Sequence, residues 1–412
     1  MRLSSTCVAS LAFFASTTFA SIPRLDPLDL AKPFGAVYYI TNSLDENFVI
    51  AAQIGEDGIA TDVKAISANG VGAQGQLSER DALFSQGSVQ VNQATSRLAV
   101  VNAGSNTIQL FDIDPTNPLN ITAIGKPVPS GGDFPQSIAW NNAGTRMCVL
   151  NGGLNARVQC FIVDKKGKLT DIASGEITTY NQTSNPPHGP AGTPSQVLFT
   201  ADQGGVITIA KGLPDDLINS PGYMRVWPLA DNGTFASMPF EANITEPIGG
   251  MPSSLSQSPG TLVYVGSDGT NGGLVIDMTA GPNHAIFQPI DLPNNVGNSH
   301  SVSAPKTGTF FISDPLGDVI NEISLGENNN ATLVRQYDVP GLGPSEAIVT
   351  EIQGQEFMYM LMQGENTLGV WRLDGPGRAV LTQLWEMAVP VRILGLTFDQ
   401  TLLSGMAIYV SP

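Results

Sequence analysis

Residues 135–153 read PQSIAWNNAGTRMCVLNGG and contain two short apolar runs separated by a turn. The first run, residues 138–140, follows a proline and small polar residues, and the second, residues 147–150, ends in Asn-Gly-Gly. Short apolar runs that are bounded by glycine and asparagine predict two β-strands joined as a hairpin.

The same pattern recurs along the chain. Residues 86–103, QGSVQVNQATSRLAVVNA, align with this stretch without a gap, and looser copies begin at residues 194, 252, 299 and 344. Successive copies are separated by 45 to 59 residues, measured at one apolar position of the first predicted strand. That position is occupied by Val89, Ile138, Val197, Leu255, Val302, Ala347 and Ile393. Repeats of roughly this length that hold several strands each indicate a β-propeller.

The two ends of the chain are predicted to share one blade. Residues 36–42, AVYYITN, match the second strand of the repeat with no first strand before them. Residues 391–398 match a first strand with no complete blade after them. Six complete repeats and one shared blade predict an all-β, seven-bladed β-propeller over residues 36–412, closed by N- and C-terminal strands. Such closure removes the free sheet edge that would favour aggregation.

The N-terminal region has the features of a secretory signal peptide. Residues 1–20 contain Arg2, a short apolar stretch and small residues at the end, and residues 21–35 are a proline-containing leader. Five Asn-x-Ser/Thr sequons, each expected in a loop between strands, support the secretory route. They are Asn120, Asn181, Asn232, Asn243 and Asn330. We therefore expect a secreted, extracellular glycoprotein.

Two cysteines remain after the signal peptide. Cys148 and Cys160 flank the turn at residues 151–156, and a hairpin there would set them opposite each other. In an oxidising compartment this predicts a structural disulfide, which stabilises by roughly 3 kcal/mol through loop closure. A free catalytic thiol is the alternative.

The composition restricts the partners. The formal net charge of −17 argues against nucleic acid and anionic membrane surfaces, because a strongly acidic surface repels both. The sequence has no HExxH motif, EF-hand loop, phosphate-binding loop or dinucleotide fingerprint, so no metal or cofactor is predicted. Four residues that follow predicted second strands could supply oxygen ligands to calcium, although acidic turns occur without any metal. They are Asp268, Asn271, Asp314 and Asp318.

Polar residues precede the aligned apolar position in almost every copy and are expected to line the central channel. One residue before it stand Ser88, Ser137, Gln196, Ser254, Ser301, Glu346 and Arg392. Two residues before it stand Gly87, Gln136, Ser195, Ser253, His300, Ser345 and Val391. Such a lining suits either a hydrated channel without chemistry or a binding site.

The candidate catalytic residues come from three consecutive copies. Arg392 would hold a carboxylate, while Glu346 or His300 would transfer a proton. The alternative is an ion pair between Glu346 and Arg392, with His300 bonded to a loop carbonyl. His188, in the loop before the copy at residue 194, either leans over the channel as a further catalytic residue or is simply exposed.

Four stretches of the repeat resemble the lactonase-type seven-bladed propellers. The resemblance rests on residues 135–153, on VQCFIVDKKGKLT (residues 158–170), on PSQVLFTADQGGVITIAKG (residues 194–212) and on GYMRVWPLADNGTF (residues 222–235). It covers roughly residues 36–412 and consists of blade pattern rather than a catalytic motif. The family contains 6-phosphogluconolactonase-like proteins and the fungal 3-carboxy-cis,cis-muconate lactonizing enzymes (3-carboxymuconate cyclases). The chain also resembles its secreted, glycosylated fungal branch.

The resemblance implies cofactor-free acid/base chemistry. A lactonase or an intramolecular lyase (isomerase) of this kind would open or close a lactone of a small organic acid, held in the central channel of a monomer. The alternative is a non-catalytic extracellular or cell-wall glycoprotein that kept the fold and lost the active site. The family places a histidine at the start of the fourth innermost strand, where this chain has Thr193-Pro194-Ser195-Gln196.

Overall fold

The computed structural model describes residues 33–412 except residues 394, 397 and 398. The predicted signal peptide and most of the predicted leader lie outside the described residues. Within the described part of the chain, no helix has the length and hydropathy that a membrane span requires.

The chain forms seven antiparallel sheets, each of four or five strands. Blade 1 contains β1 (Gly35–Ile40), β2 (Phe48–Ile54) and β3 (Ala60–Ser67). Blade 2 contains β4 (Val89–Asn92), β5 (Arg97–Asn102), β6 (Thr107–Ile113), β7 (Ile121–Ala123) and β8 (Val128–Pro129). Blade 3 contains β9 (Pro135–Trp140), β10 (Arg146–Asn151), β11 (Arg157–Val163) and β12 (Leu169–Glu176). Blade 4 contains β13 (Pro194–Phe199), β14 (Gly205–Ala210), β15 (Gly222–Pro228) and β16 (Phe240–Ile244).

The remaining blades repeat this order. Blade 5 contains β17 (Pro252–Gln257), β18 (Val263–Asp268), β19 (Gly272–Asp277) and β20 (Ile286–Asp291). Blade 6 contains β21 (His300–Ala304), β22 (Thr309–Asp314), β23 (Val319–Leu325) and β24 (Ala331–Asp338). Blade 7 contains β25 (Pro344–Ile352), β26 (Gln355–Met362), β27 (Thr367–Leu373) and β28 (Ala379–Glu386). The short helix α1 (Ala388–Ile393) follows, and β29 (Ser404–Val410) completes blade 1.

The seven innermost strands form a closed ring. Each of β29, β4, β9, β13, β17, β21 and β25 contacts the next one, and β25 contacts β29. The seven-bladed propeller predicted from the repeat is therefore confirmed. The six aligned apolar positions from Val89 to Ala347 all lie on innermost strands, as expected.

The closing strand differs from the prediction. Residues 391–393 belong to α1, which packs against β3, the outermost strand of blade 1. The innermost strand is instead β29, which pairs with β1 from Gly35↔Val410 to Ile40↔Ser404. Pro390 lies in the first turn of α1, where its missing N–H is not needed, and β29 supplies the buried side chains of Met406, Ala407 and Tyr409 that the closing strand requires.

The core lies between neighbouring blades. The middle strands are buried on both faces, as in β5, where all six residues are buried. They therefore read as continuous apolar runs in the sequence. The outermost strands alternate between half-buried and exposed side chains, as in β28, and they give a weaker signal. Each fully buried Leu, Ile, Val or Phe side chain between blades stabilises the fold by about 1.5–3 kcal/mol.

The hairpin turns and the disulfide follow the prediction. Gly144 and Gly308 close the hairpins of blades 3 and 6 with φ of 65° and 76°, a conformation that glycine adopts without strain. Cys148 and Cys160 are paired opposite each other on β10 and β11 and form a disulfide.

The five sequon asparagines are all exposed. Four of them lie outside strands, whereas Asn243 lies on β16, the outermost strand of blade 4, rather than in a loop. An outermost strand has one free edge, so an exposed asparagine there is still accessible.

Candidate functional site

A long connection between blades 1 and 2 folds across one mouth of the channel. We call residues 68–83 the mouth loop. Gln76 exchanges backbone hydrogen bonds with the loop before blade 4, donating to Pro187 O at 2.8 Å and accepting from Gly189 N at 3.2 Å. Arg80 reaches the turn after β22 in blade 6, where it donates to the carbonyl oxygen of Pro315 and pairs with Asp318 at 3.4 Å. The mouth loop is thus anchored on two blades.

The next residues enter the channel itself. We call residues 84–87 the plug. The backbone N–H of Gln86 donates to Ser195 O at 3.2 Å in blade 4. The side-chain amide of Gln86 donates to Ser301 O at 2.9 Å and accepts from Ser301 N at 3.0 Å in blade 6. One glutamine therefore connects two blades through the middle of the ring.

The plug also bonds blades 3 and 7. Ser137 Oγ donates to Gln86 O at 2.6 Å, and Ile138 N donates to Gly87 O at 2.8 Å. Gly87 N donates to Glu346 Oε1 at 2.9 Å. Several of the polar residues predicted to line the channel, among them Ser137, Ser301 and Glu346, therefore bond to the plug. The plug therefore takes up part of the central channel in which a small ligand was expected.

Four ionisable groups, three of them buried and Asp81 half-buried, surround the junction between mouth loop and plug. Asp81 belongs to the mouth loop, Lys211 follows β14, His300 begins β21 and Glu346 lies on β25. Oδ2 of Asp81 is 3.8 Å from Nε2 of His300, which is beyond hydrogen-bond distance. Asp81, Lys211, His300 and Glu346 influence one another electrostatically, and we call them the acid–base cluster.

Lys211 is the cation of this cluster. Its side chain is 2% exposed, and Nζ donates to Phe84 O at 2.6 Å and to Ser195 Oγ at 3.0 Å. Burial lowers the pKa of Lys211 to about 8, while Asp81 opposes this change. Because a lysine ammonium has three donors, one N–H remains for another partner.

Asp81 is the accessible carboxylate of the cluster. Its side chain is 13% exposed, and its backbone has φ of 65°, which is rare for residues other than glycine. Burial raises the pKa of Asp81 to about 6, and Lys211 and the backbone N–H groups of residues 83–85 limit the rise. Asp81 is therefore mostly ionised at neutral pH.

Glu346 and His300 are both neutral at pH 7. Burial raises the pKa of Glu346 to about 8, against the N–H group of Gly87 and with help from the charge of Asp81. Burial lowers the pKa of His300 to about 3, and Lys211 lowers it further. Nδ1 of His300 has no hydrogen-bond partner. These two groups lie behind Asp81 and do not line the cavity described next.

A cavity of about 350 Å³ opens at the mouth above the cluster. Asp81, Lys211 and Ser253 contribute polar groups to its lining, and the mouth loop forms one wall. Met251 and Phe84 add apolar surface. A concave site of this size with a few convergent polar groups is typical of small-molecule binding.

The structure brings together two of the four sequence-predicted catalytic residues. His300 and Glu346 both lie beside Asp81. Arg392 is exposed on α1 beside the outermost strand of blade 1, so the prediction of Arg392 as a carboxylate-holding residue at the channel is wrong, as is the alternative ion pair with Glu346. His188 is exposed, and its backbone bridges to Gln76 of the mouth loop.

Sequence reasoning missed Asp81 and Lys211. Asp81 lies in a connection with no counterpart in the repeat. Lys211 carries a signal, because the equivalent position at the end of each second strand is buried and polar in all seven blades. The residues there are Asn42, Asn102, Asn151, Lys211, Asp268, Asp314 and Gln363. A lysine among amides and carboxylates marks blade 4 as different.

The acidic turns considered as calcium ligands have another role. Asp268 accepts hydrogen bonds from the N–H groups of Met251 and Thr270, and Asp314 accepts from those of Val296 and Gly297. These carboxylates therefore fasten loops to strands. Among the described residues, no group of His, Cys, Asp and Glu is arranged to hold a metal ion.

Comparison with known proteins identifies the fold. No family model and no curated protein matches the chain. A candidate 6-phosphogluconolactonase from Bacteroides fragilis superposes with a TM-score of 0.64 and 13% identity, covering 93% of this chain and 99% of that one. The fold is that of the 6-phosphogluconolactonase-like propellers.

Two further solved structures agree. A candidate 6-phosphogluconolactonase from Bacteroides uniformis has a TM-score of 0.62 and 14% identity over 86% of this chain and 98% of that one. A protein from Lactobacillus plantarum has a TM-score of 0.62 and 12% identity over 91% and 99%. At these identities the likeness concerns the fold.

Proposed function

We propose that the protein is a cofactor-free lactone hydrolase that acts on a small organic acid lactone in the mouth cavity. One observation carries the proposal: an ionised Asp81 and a protonated Lys211 with a spare N–H line the same cavity. Such a pair can activate water and stabilise an oxyanion.

Asp81 and Lys211 have separate roles in the proposed reaction. Asp81 removes a proton from a water molecule as that water attacks the lactone carbonyl, and the spare N–H of Lys211 donates to the developing oxyanion. When the ring C–O bond breaks, the leaving alkoxide takes the proton from Asp81. The product is the open hydroxy acid, and Lys211 faces its new carboxylate. Lactone and water are the only reactants.

His300 and Glu346 act from behind Asp81 in this scheme. Both are neutral at pH 7, so neither competes with Asp81 for the charge of Lys211. Their predicted part in acid/base chemistry becomes that of positioning residues, because neither lines the cavity.

The charged residues of the cavity fit a muconate cyclase less well than a hydrolase of simple lactones. A carboxymuconate carries several carboxylates and would need several cations. Lys211 is one, but Arg80, the other cation of the lining, is bound to Pro315 and Asp318. A lactone with a single carbonyl needs only one hydrogen-bond donor at that oxygen, which the spare N–H of Lys211 can supply.

Secretion belongs to the same proposal. A signal-peptide-like N-terminus, five exposed sequon asparagines and a disulfide are together typical of a protein that acts outside the cell. Glycan release with a glycosidase, followed by mass measurement of the protein from its native source, tests this part.

The pH dependence of hydrolysis tests the mechanism. Activity needs Asp81 ionised and Lys211 protonated, so kcat/KM should fall below about pH 6 and above about pH 8. Asp81→Asn and Lys211→Met should each lower kcat/KM by about 10²-fold or more. A panel of unsubstituted and substituted lactones, followed by acid release, measures both.

Arg392→Ala is the matched control, because Arg392 lies outside the cavity. It should leave kcat/KM and the pH profile unchanged. Unchanged hydrolysis in Asp81→Asn, with Arg392→Ala inactive instead, would restore the assignment made from the sequence.

A non-catalytic binding glycoprotein is the second candidate. The observation that favours it is that His300 and Glu346, two residues expected to catalyse, are buried and do not line the cavity. Binding of hydroxy acids without turnover of any lactone would select this alternative.

A further inference from the structure

Apolar side chains are exposed at the rim of the mouth cavity. Leu77, Val296 and Leu316 line the cavity and are 71%, 59% and 45% exposed. Single exposed apolar residues are ordinary on a folded protein, but several beside one concave site mark a binding surface.

The three rim residues come from separate parts of the chain. Leu77 belongs to the mouth loop, Val296 to the loop before β21, and Leu316 to the turn between β22 and β23. The backbone of Leu77 has φ of 66°, a conformation that costs free energy for a side chain with a Cβ atom. Leu77 is thus exposed at the cavity in spite of an unfavourable backbone conformation.

Four charged residues line the cavity: Glu79, Arg80, Asp81 and Lys211. Glu79 and Asp81 are acidic, and Lys211 is the cation with a spare donor. Arg80 is engaged by Pro315 and Asp318. A phosphate group, with about two negative charges, would face two carboxylates with one ammonium as compensation. The lining therefore disfavours phosphorylated sugar lactones.

We propose that the substrates are lactones with an apolar tail. The lactone carbonyl lies at Lys211 and Asp81, and the tail extends over Leu77, Val296 and Leu316. The position of the lactone ring in this inference rests on the proposed function. The site for the tail is inferred independently, from the exposed apolar residues of the rim. It names a substrate class that differs from phosphorylated or polycarboxylate lactones.

A homologous series tests the tail by turnover. The substrates are γ-butyrolactone, γ-hexalactone and γ-nonalactone, with 6-phosphogluconolactone as the phosphorylated comparison. Because burying a methylene favours binding, kcat/KM should rise roughly two- to fourfold per added methylene, less where the rim is open to water. The phosphorylated lactone should be the poorest substrate.

A binding experiment tests the tail without turnover. Calorimetry measures the affinity of 4-hydroxybutanoate and 4-hydroxynonanoate for the intact protein. The longer acid should bind at least tenfold more tightly. Leu77→Ser and Leu316→Ser should each reduce this preference severalfold. Ile218→Ser is the control, since Ile218 is 94% exposed but does not line the cavity.

The outcomes separate the two proposals. Tail-dependent affinity without turnover of any lactone overturns the hydrolase and supports the tail site. Turnover that is indifferent to tail length, or that is fastest with the phosphorylated lactone, overturns the tail site and leaves the hydrolase standing. Binding that is indifferent to tail length, without turnover of any lactone, overturns both. Absence of both turnover and binding overturns both.

Discussion

The side chains of the acid–base cluster show how burial sets protonation. Asp81 and Glu346 are both carboxylic acids, but Asp81 is partly exposed and close to Lys211, whereas Glu346 is sealed behind the plug. Their pKa values therefore differ by about two pH units, about 6 against about 8. At neutral pH, therefore, Asp81 is mostly ionised and Glu346 is mostly protonated, so the two acids together carry about one negative charge.

Glu346 should make stability depend on pH. Its pKa is raised from 4.5 to about 8 on folding, so between these values the native state binds a proton that the unfolded state has lost. Stability should fall as pH rises in that window, by at most about 1.4 kcal/mol per pH unit. His300, whose pKa is lowered to about 3, opposes this slope up to its unfolded value of 6.5.

The decisive range is therefore about pH 6.5 to 7.5, above the titration of Asp81 and His300; nearer pH 8, loss of the proton from Lys211, whose pKa is also lowered to about 8, would oppose the decline. Urea unfolding across this range should show the decline in the native sequence and a flat response in Glu346→Gln, which keeps the acceptor for Gly87. The same decline in both proteins would show that Glu346 is not the group responsible.

At the scale of elements, the plug links blades that are distant in the chain. Gln86 satisfies the backbone N–H and C=O of Ser301, which is buried, and the backbone of Ser195. Buried backbone groups cost free energy when they are left without partners. The plug is thus a structural element, and it separates the mouth cavity from Glu346.

Gln86→Ala should destabilise the fold by about 1–3 kcal/mol, because both backbone groups of Ser301 lose their partner. The midpoint of urea unfolding measures the change. Gln288→Ala is a suitable control, since the amide of Gln288 makes one contact of 3.5 Å to Asn328 O on the surface of blade 5. Equal effects of the two substitutions would argue that the plug contributes nothing specific.

At the scale of the whole molecule, the ring depends on its last strand. β29 supplies the innermost strand of blade 1 and contacts both neighbouring innermost strands, β4 and β25. Met406, Ala407 and Tyr409 are buried in it. Without β29, the ring would have an open gap and blade 1 an unpaired inner edge.

Deletion of residues 404–412 should abolish cooperative unfolding and cause aggregation, because apolar surface and a strand edge become exposed. Calorimetry and light scattering measure these effects. Deletion of Pro412 alone, which lies beyond β29, should change neither. A truncated protein with an unchanged cooperative transition would mean that ring closure is not needed for stability.

The sequence predicted the repeated parts of the fold because these depend on local pairings. Hairpins such as β9–β10, the opposition of Cys148 and Cys160, and the six inner-strand positions all follow from strand length, turn residues and the repeat. The same register comparison placed His300 and Glu346 near the centre of the ring. It failed at the closing strand, where an apolar run after Pro390 resembled an innermost strand but its first three residues, 391–393, belong to a helix.

By itself, then, the sequence determined seven blades, their order and the disulfide, since neighbouring strands in a blade are neighbours in the chain. Only the tertiary structure decided where a ligand can bind. Asp81 and Lys211 are 130 positions apart, and no local pattern relates the mouth loop to the end of β14. Their proximity arises because the ring closes and a single non-repeating segment, residues 68–87, folds into its mouth.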